Sequence, residues 1–126
     1  MRPVLNSIII FVQNVSNLKN FYTGKLNLEV IEEIESEWVL LKAGDCNIAL
    51  HKVGKKYESS DPNFTINGNT KMVFEIEGDI FQEREMLLSE KVSVSEIKTF
   101  DNYDYWLCDG EDPEGNIFQL KQKKHL

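Results

Sequence analysis

Asp112-Pro113-Glu114-Gly115-Asn116-Ile117-Phe118-Gln119-Leu120 is a turn that feeds a strand. Pro113 presets φ at the first corner, and Gly115 or Asn116 takes a positive φ at the next. Asp112 is placed to accept a hydrogen bond from the backbone two residues on, which holds the turn shut. Ile117 to Leu120 then reads as a β-strand. A turn of this kind orients the strand after it, so that one of its faces is aimed reproducibly.

A second patterned region lies near the start. It runs Ile8-Ile9-Ile10-Phe11-Val12-Gln13-Asn14-Val15, then Leu18-Lys19-Asn20-Phe21-Tyr22, then Leu26-Asn27-Leu28-Glu29-Val30. These are an apolar strand, a V-x-[DN]-[LV] step, a helix ending in Phe-Tyr, and the opening of a further strand. Together with the closing DPEGN-apolar-x-Gln-Leu pattern, they resemble the vicinal oxygen chelate superfamily, which includes glyoxalase I, fosfomycin- and bleomycin-resistance proteins and extradiol dioxygenases. The two signatures stand at opposite ends of the chain at the family's spacing, so the resemblance covers nearly the whole length. It implies an α+β fold of two βαβββ modules, side by side, forming a curled mixed sheet around a cup.

The composition suits such a fold. The 126 residues fit one domain and can build a hydrophobic core without disulfides. Apolar residues make up 41% and charged residues 28%, an ordinary globular balance. A net charge of −7 argues against a nucleic-acid partner, which requires a basic face. That charge serves solubility, and it also suits a cationic ligand. No apolar run reaches the length of a membrane span, and the first residues lack a signal-peptide core, so a cytoplasmic protein is expected. Cys46 and Cys108 show no metal or redox spacing and read as reduced thiols.

Element by element, Ser7–Val12 reads as a strand covered on both faces, and Val15–Lys25 as an amphipathic helix capped by Asn14 or Ser16. Alternation from Leu28 to Ile34, then Trp38–Lys42 and Cys46–Lys52, gives three more strands. Residues 54–69 lose periodicity and form a linker or a loop over the pocket, with Tyr57 and Phe64 as candidate anchors. The order then repeats: a strand over Thr70–Ile76, a helix over Ile80–Lys91, and strands over Val92–Ile97, Tyr105–Cys108 and Asn116–Gln122. A single domain over 1–126 is expected, with module one at 1–53, a linker at 54–69 and module two at 70–126. Lys123-Lys124-His125 reads as a basic tail.

Alternation also sorts side chains between the helix face and the cup. Ser7, Ile9 and Phe11 fall to the cup from the first strand, and Asn47, Ala49 and His51 from the fourth. Lys71, Val73 and Glu75 fall there from the fifth, and Ile117, Gln119 and Lys121 from the last. Trp38 or Val39, and Tyr105 or Trp106, line the remaining strands, with parity open. Asp101, Asp104, Asp109, Glu111 and Asp112 read as an acidic group around Trp106, ordinarily a solvated loop.

By resemblance, metal-dependent members bind a divalent ion through His, Glu or Gln on the first, fourth, fifth and last strands. Carried over by position, those places hold Ser7, Ala49, Lys71 and Gln119 here. Serine and alanine are poor ligands, a lysine ammonium repels the ion, and one amide oxygen does not hold it. An off-position set of His51, Glu75 and Gln119 is a chemically reasonable alternative, at the cost of shifts of a full pleat along the sheet. No nucleophile elbow, phosphate loop or Cys–base pair appears.

The expected function is therefore a metal-free protein of the bleomycin-resistance type, with no cofactor. It would sequester a small organic molecule through Phe11, Trp38, His51, Lys71, Glu75, Tyr105 and Gln119, as a homodimer by resemblance. The competing expectation is a metal-dependent lyase, transferase or dioxygenase of the glyoxalase type.

Overall fold

In a computed structural model the protein is described over residues 1–124, so His125 of the expected tail lies outside the described residues. The chain divides into two compact units, one up to Phe64 and one from Thr65 on.

The first unit holds β1 (Ser7–Val12), α1 (Val15–Gly24), β2 (Glu29–Ile34), β3 (Trp38–Lys42) and β4 (Asn47–Lys52). The sheet runs β1-β4-β3-β2, with β1 parallel to β4 and the other pairs antiparallel. Asn14 caps α1 by accepting the Asn17 N–H at 2.9 Å, which satisfies one of the donors a helix start leaves open. The helix lies over β3 and β4. It buries Val15, Leu18, Phe21 and Tyr22 toward the sheet, whose own buried residues include Val12, Val39, Leu41, Ile48 and Leu50. Each such side chain contributes roughly 1.5–3 kcal/mol by leaving water. Ile8 keeps the parity of the helix face, yet 43% of it stays exposed. It stands near the start of an edge strand, and α1 packs on β3 and β4 instead.

The second unit holds β5 (Lys71–Glu75), α2 (Ile80–Ser89), β6 (Tyr105–Glu111) and β7 (Ile117–Lys123). Its sheet runs β5-β7-β6, with the parallel pair again formed by the first and last strands. Asp79 caps α2 through the Phe81 N–H. The strand expected over Val92–Ile97 is instead an irregular edge, bridged to β6 at Val94↔Gly110 and Lys98↔Leu107. The cause is local. The Ser95 hydroxyl accepts the Asp109 N–H at 3.0 Å, a bond that a backbone carbonyl takes in a regular ladder. The two bridges consequently fall out of step by one residue. With this edge included, the second unit repeats the strand order of the first.

Gly110 has no room for a side chain. A Cβ there would stand 2.3 Å from Phe118 Cζ, because Phe118 is the direct cross-strand partner and lays its ring over the glycine. The closing turn is built as its sequence suggests. Asp112 Oδ1 accepts the N–H of Glu114 and of Asn116, each at 2.9 Å, and Oδ2 accepts Asn116 Nδ2 at 2.9 Å. Gly115 adopts φ +84°, in the left-handed region that favours glycine.

Residues 54–69 are tied down in both units. In the first, a 3-10 turn at Lys55–Tyr57 follows β4, and the Gln13 side chain brackets it by donating to Tyr57 O and accepting the Ser59 N–H. The Tyr57 ring itself is exposed, so its backbone makes the attachment. In the second, Ile66 N–H donates to Glu114 O at 2.7 Å, fixing the segment to the closing turn.

Candidate functional site

On the sheet of the second unit, the face away from α2 carries Lys71, Val73 and Glu75 from β5. It carries Ile117, Gln119 and Lys121 from β7, and Tyr105, Leu107, Asp109 and Glu111 from β6. Asp109 is its electrostatic centre. Lys71 Nζ donates to Asp109 Oδ2 at 2.7 Å, and Lys98 Nζ stands 3.8 Å from the same oxygen. Gln119 Nε2 donates to Oδ1 at 2.9 Å. Partial burial alone pushes the Asp109 carboxyl up. The hydrogen bonds from Lys71 and Gln119 and the charges of Lys71 and Lys98 outweigh it and hold the group below its ordinary value. A pocket of about 310 Å³ opens beside this group, lined by Lys71, Asp109 and Glu111 together with the Ser93–Ser95 edge.

One step along the same face, Glu75 pairs in register with Lys121, and the Lys121 ammonium sits 4.2 Å from the Tyr105 ring centroid. Tyr105, Tyr103 and Phe100 continue as a run of rings in contact. The open parity of β6 is resolved: Tyr105 is on this face and Trp106 on the other, where Phe81 of α2 meets it edge-on. Two of the acidic residues read around Trp106 are engaged elsewhere. Asp109 is on the opposite face of β6, Asp112 closes the turn, and the group over the Trp106 ring is the Lys124 ammonium.

In the first unit the face away from α1 carries an aromatic row. Phe11, His51, Trp38 and Ile34 are successive register partners across β1, β4, β3 and β2. The Phe11 and His51 rings lie 5.3 Å apart and His51 and Trp38 5.7 Å apart, the latter edge-on. Phe11 is 61% exposed, so the row offers an aromatic surface. His51 Nδ1 is 2.6 Å from Lys52 O and donates to that carbonyl, which fixes the orientation of the ring. Val39 takes the buried side of β3, which resolves its parity against Trp38.

Of the sequence-derived residues, the structure thus groups Phe11, Trp38 and His51 in one unit. Lys71 and Gln119 meet through Asp109 in the other, and Glu75 and Tyr105 flank Lys121. Lys98 was not among them, and Asp109 was read only as part of an acidic group around Trp106. The signal for Asp109 was present: Tyr105, Leu107 and Asp109 alternate, and carrying the strand on to the Asp112 turn puts Asp109 opposite Gln119. Lys98 is reached through an irregular edge that periodicity does not register.

The residues at the family's metal positions do not fit a divalent ion. Ser7 and Ala49 offer no strong donor, Lys71 is a cation engaged by Asp109, and Gln119, whose Nε2 donates to the same carboxylate, contributes one amide oxygen, which alone does not hold the ion. In the off-position set, Glu75 and Gln119 are a full pleat apart, since Glu75 pairs with Lys121 and Gln119 with Val73. Among the described residues no three His, Cys, Asp or Glu side chains are grouped so as to hold a metal. No helix among them is long and apolar enough to cross a membrane.

No protein-family profile matches the sequence, and no curated protein matches it. Solved structures do. Lactoylglutathione lyase from Agrobacterium tumefaciens superposes with TM-score 0.75 at 14% identity, covering 98% of this chain and 96% of that one. The genomically encoded fosfomycin resistance protein of Listeria monocytogenes gives 0.74 at 14%, covering 97% and 94%. An antibiotic binding protein from Streptomyces sp. CB03234 gives 0.71 at 15%, covering 97% of each chain. The fold is that of the vicinal oxygen chelate proteins.

Proposed function

We propose that the protein is a metal-independent small-molecule-binding protein that sequesters an organic ligand. The observation that carries this reading is the engagement of Lys71 by Asp109. A position that would have to supply an electron pair to a metal supplies a fixed positive charge instead, and the neighbouring Gln119, which donates to the same carboxylate, adds only one weak amide oxygen. What remains is recognition chemistry: an exposed aromatic row in the first unit, and a hydrogen-bonded charged group beside a pocket in the second. The likeness in fold to an antibiotic binding protein is consistent with such a role.

The test is ligand binding by protein stripped with EDTA. A panel of aromatic and charged small molecules is screened by thermal shift, with and without chelator. Binding unaffected by chelator is the expected result. Turnover of any panel member that depends on added divalent metal would overturn the reading.

The assembled form is proposed to be a homodimer. Ile9, Phe11 and Ile34 share the face of the first sheet away from α1 and are 47%, 61% and 64% exposed, an apolar patch of the kind a partner chain covers. Light scattering in solution should give about twice the 14.6 kDa chain mass; a monomer mass would rule the dimer out.

A further inference from the structure

We propose that Asn67-Gly68 is a self-modification site, at which the Asn67 side chain converts to aspartate and isoaspartate with water as the only co-reactant. This inference is independent of what the protein binds.

The chemistry sets three requirements. The side-chain carbonyl of an asparagine must be able to swing onto the backbone nitrogen of the next residue. That nitrogen must be able to give up its proton to water. The two residues must fold into a five-membered ring, which a following side chain obstructs and a glycine does not. Asn67 is the one asparagine of the chain that glycine follows. Both residues are exposed and stand outside every helix and strand. Among the described residues, neither the Asn67 side chain nor the Gly68 N–H has a hydrogen-bond partner. No hydrogen bond has to break before the ring closes.

Other asparagines are held. Asn14 Oδ1 accepts the Asn17 N–H at the start of α1, Asn116 Nδ2 donates to Asp112 Oδ2, and Asn47 is fixed in β4. Asp109-Gly110 has the composition to close a similar ring with loss of water, but Gly110 is buried in β6, in register with Phe118.

Packing gives no reason for glycine at position 68. Its φ is outside the left-handed region, which among the glycines holds Gly44 and Gly115. A Cβ there would meet nothing closer than Ile66 Cγ1 at 4.0 Å, an ordinary contact. The missing side chain therefore bears on reactivity, and Gly68→Ala changes reactivity without straining the fold.

The step runs as follows. The Gly68 nitrogen gives its proton to water and attacks Asn67 Cγ. The new N–Cγ bond forms as Cγ–Nδ2 breaks, and Nδ2 leaves as ammonia, having regained a proton from water. One water then adds to the cyclic imide. Opening at Cγ gives aspartate, and opening at the main-chain carbonyl gives isoaspartate. Nothing is oxidised or reduced. Either product adds one negative charge to a chain that already carries −7. Isoaspartate also adds a methylene to the main chain, between the bond from Ile66 N–H to Glu114 O and the start of β5 at Lys71.

The experiment incubates the full chain at neutral and at mildly alkaline pH and follows its proteolytic peptides by mass. A synthetic peptide of residues 63–71 is the reference. The fragment containing Asn67 is expected to gain the mass difference between an amide and a carboxyl group, faster at the higher pH. The intact protein should shift by one charge on anion exchange. Gly68→Ala should slow the conversion at least about fivefold and leave the thermal midpoint unchanged. An Asn67 that stays intact in the full chain while it reacts in the reference peptide would overturn the proposal, because the fold would then be holding the pair. Conversion of Gly68→Ala at the wild-type rate would also overturn it, by removing the glycine from the step.

Discussion

Lys71 Nζ lies 2.7 Å from Asp109 Oδ2, although Lys71 is on β5 and Asp109 on β6 with β7 between them. The lysine stem spans the central strand at the level where Ile117 is its register partner, and the ammonium reaches the row of Gln119 and Asp109. The pair therefore ties the outer strand of the sheet to the strand two places away.

The pair predicts a pH dependence with a definite sign. The Asp109 carboxyl is held below its ordinary value of 3.8, partial burial being outweighed by its hydrogen bonds and neighbouring lysines. A depressed carboxylate contributes stability that is present above its unfolded value and is lost as pH falls through the folded one. Lys71→Met removes the hydrogen bond and charge of Lys71. The stability difference between wild type and Lys71→Met should thus be full near neutrality and shrink below pH 3.8. Thermal unfolding of both proteins across that range checks it. A difference that grows on acidification would contradict the ion pair.

Gly110→Ala should destabilise the second unit by about 2–3 kcal/mol, since its Cβ meets the Phe118 ring at 2.3 Å, well inside contact distance. The strain is mutual, so Phe118→Leu in the same chain should cost less than the sum of the two single changes. Urea unfolding of the single and double variants reads the coupling. Additive costs would show that the ring is not what excludes the side chain.

Asp112→Ala should cost about 2–4 kcal/mol, because a buried carboxylate that accepts three hydrogen bonds is lost and two backbone N–H groups lose their acceptor. Asp112→Asn keeps the shape and one acceptor oxygen, and should recover part of the loss. Equal stability of Asp112→Ala and wild type in denaturant titration would contradict the role of this turn.

This turn also shows what sequence makes legible. Its hydrogen bonds are between residues two and four apart, so Asp112, Gly115 and the strand after them can be read directly. The helices are equally local, each marked by a capping Asn or Asp and a stripe of apolar side chains. Strand alternation placed Phe11, His51, Lys71 and Gln119 on the faces away from the helices. It could not say that Asp109 engages Lys71, 38 residues away, because that contact depends on which strands are neighbours. The irregular edge from Val94 to Lys98 was hidden for a related reason. Its apolar alternation is that of a strand, but the Ser95 hydroxyl takes a bond that the backbone otherwise makes.

The aromatic row makes a prediction for the first unit. His51 is exposed at its centre, between Phe11 and Trp38, so His51→Ala should change stability by less than about 1 kcal/mol. The same change should weaken any flat aromatic ligand that stacks on the row. Fluorescence of Trp38, one of two tryptophans, offers a direct titration signal. Unchanged ligand affinity in both His51→Ala and Trp38→Ala would remove this row from recognition.

Metal independence is decided by thermal unfolding of EDTA-stripped protein with and without Zn²⁺, Ni²⁺, Mn²⁺ or Fe²⁺. A metal at a hundred times its Kd adds about 2.7 kcal/mol, a shift of several degrees for a domain of this size. The expected result is a midpoint that no metal raises. A rise of several degrees with one metal, abolished by Gln119→Ala, would contradict it and make a metal-dependent enzyme the better description.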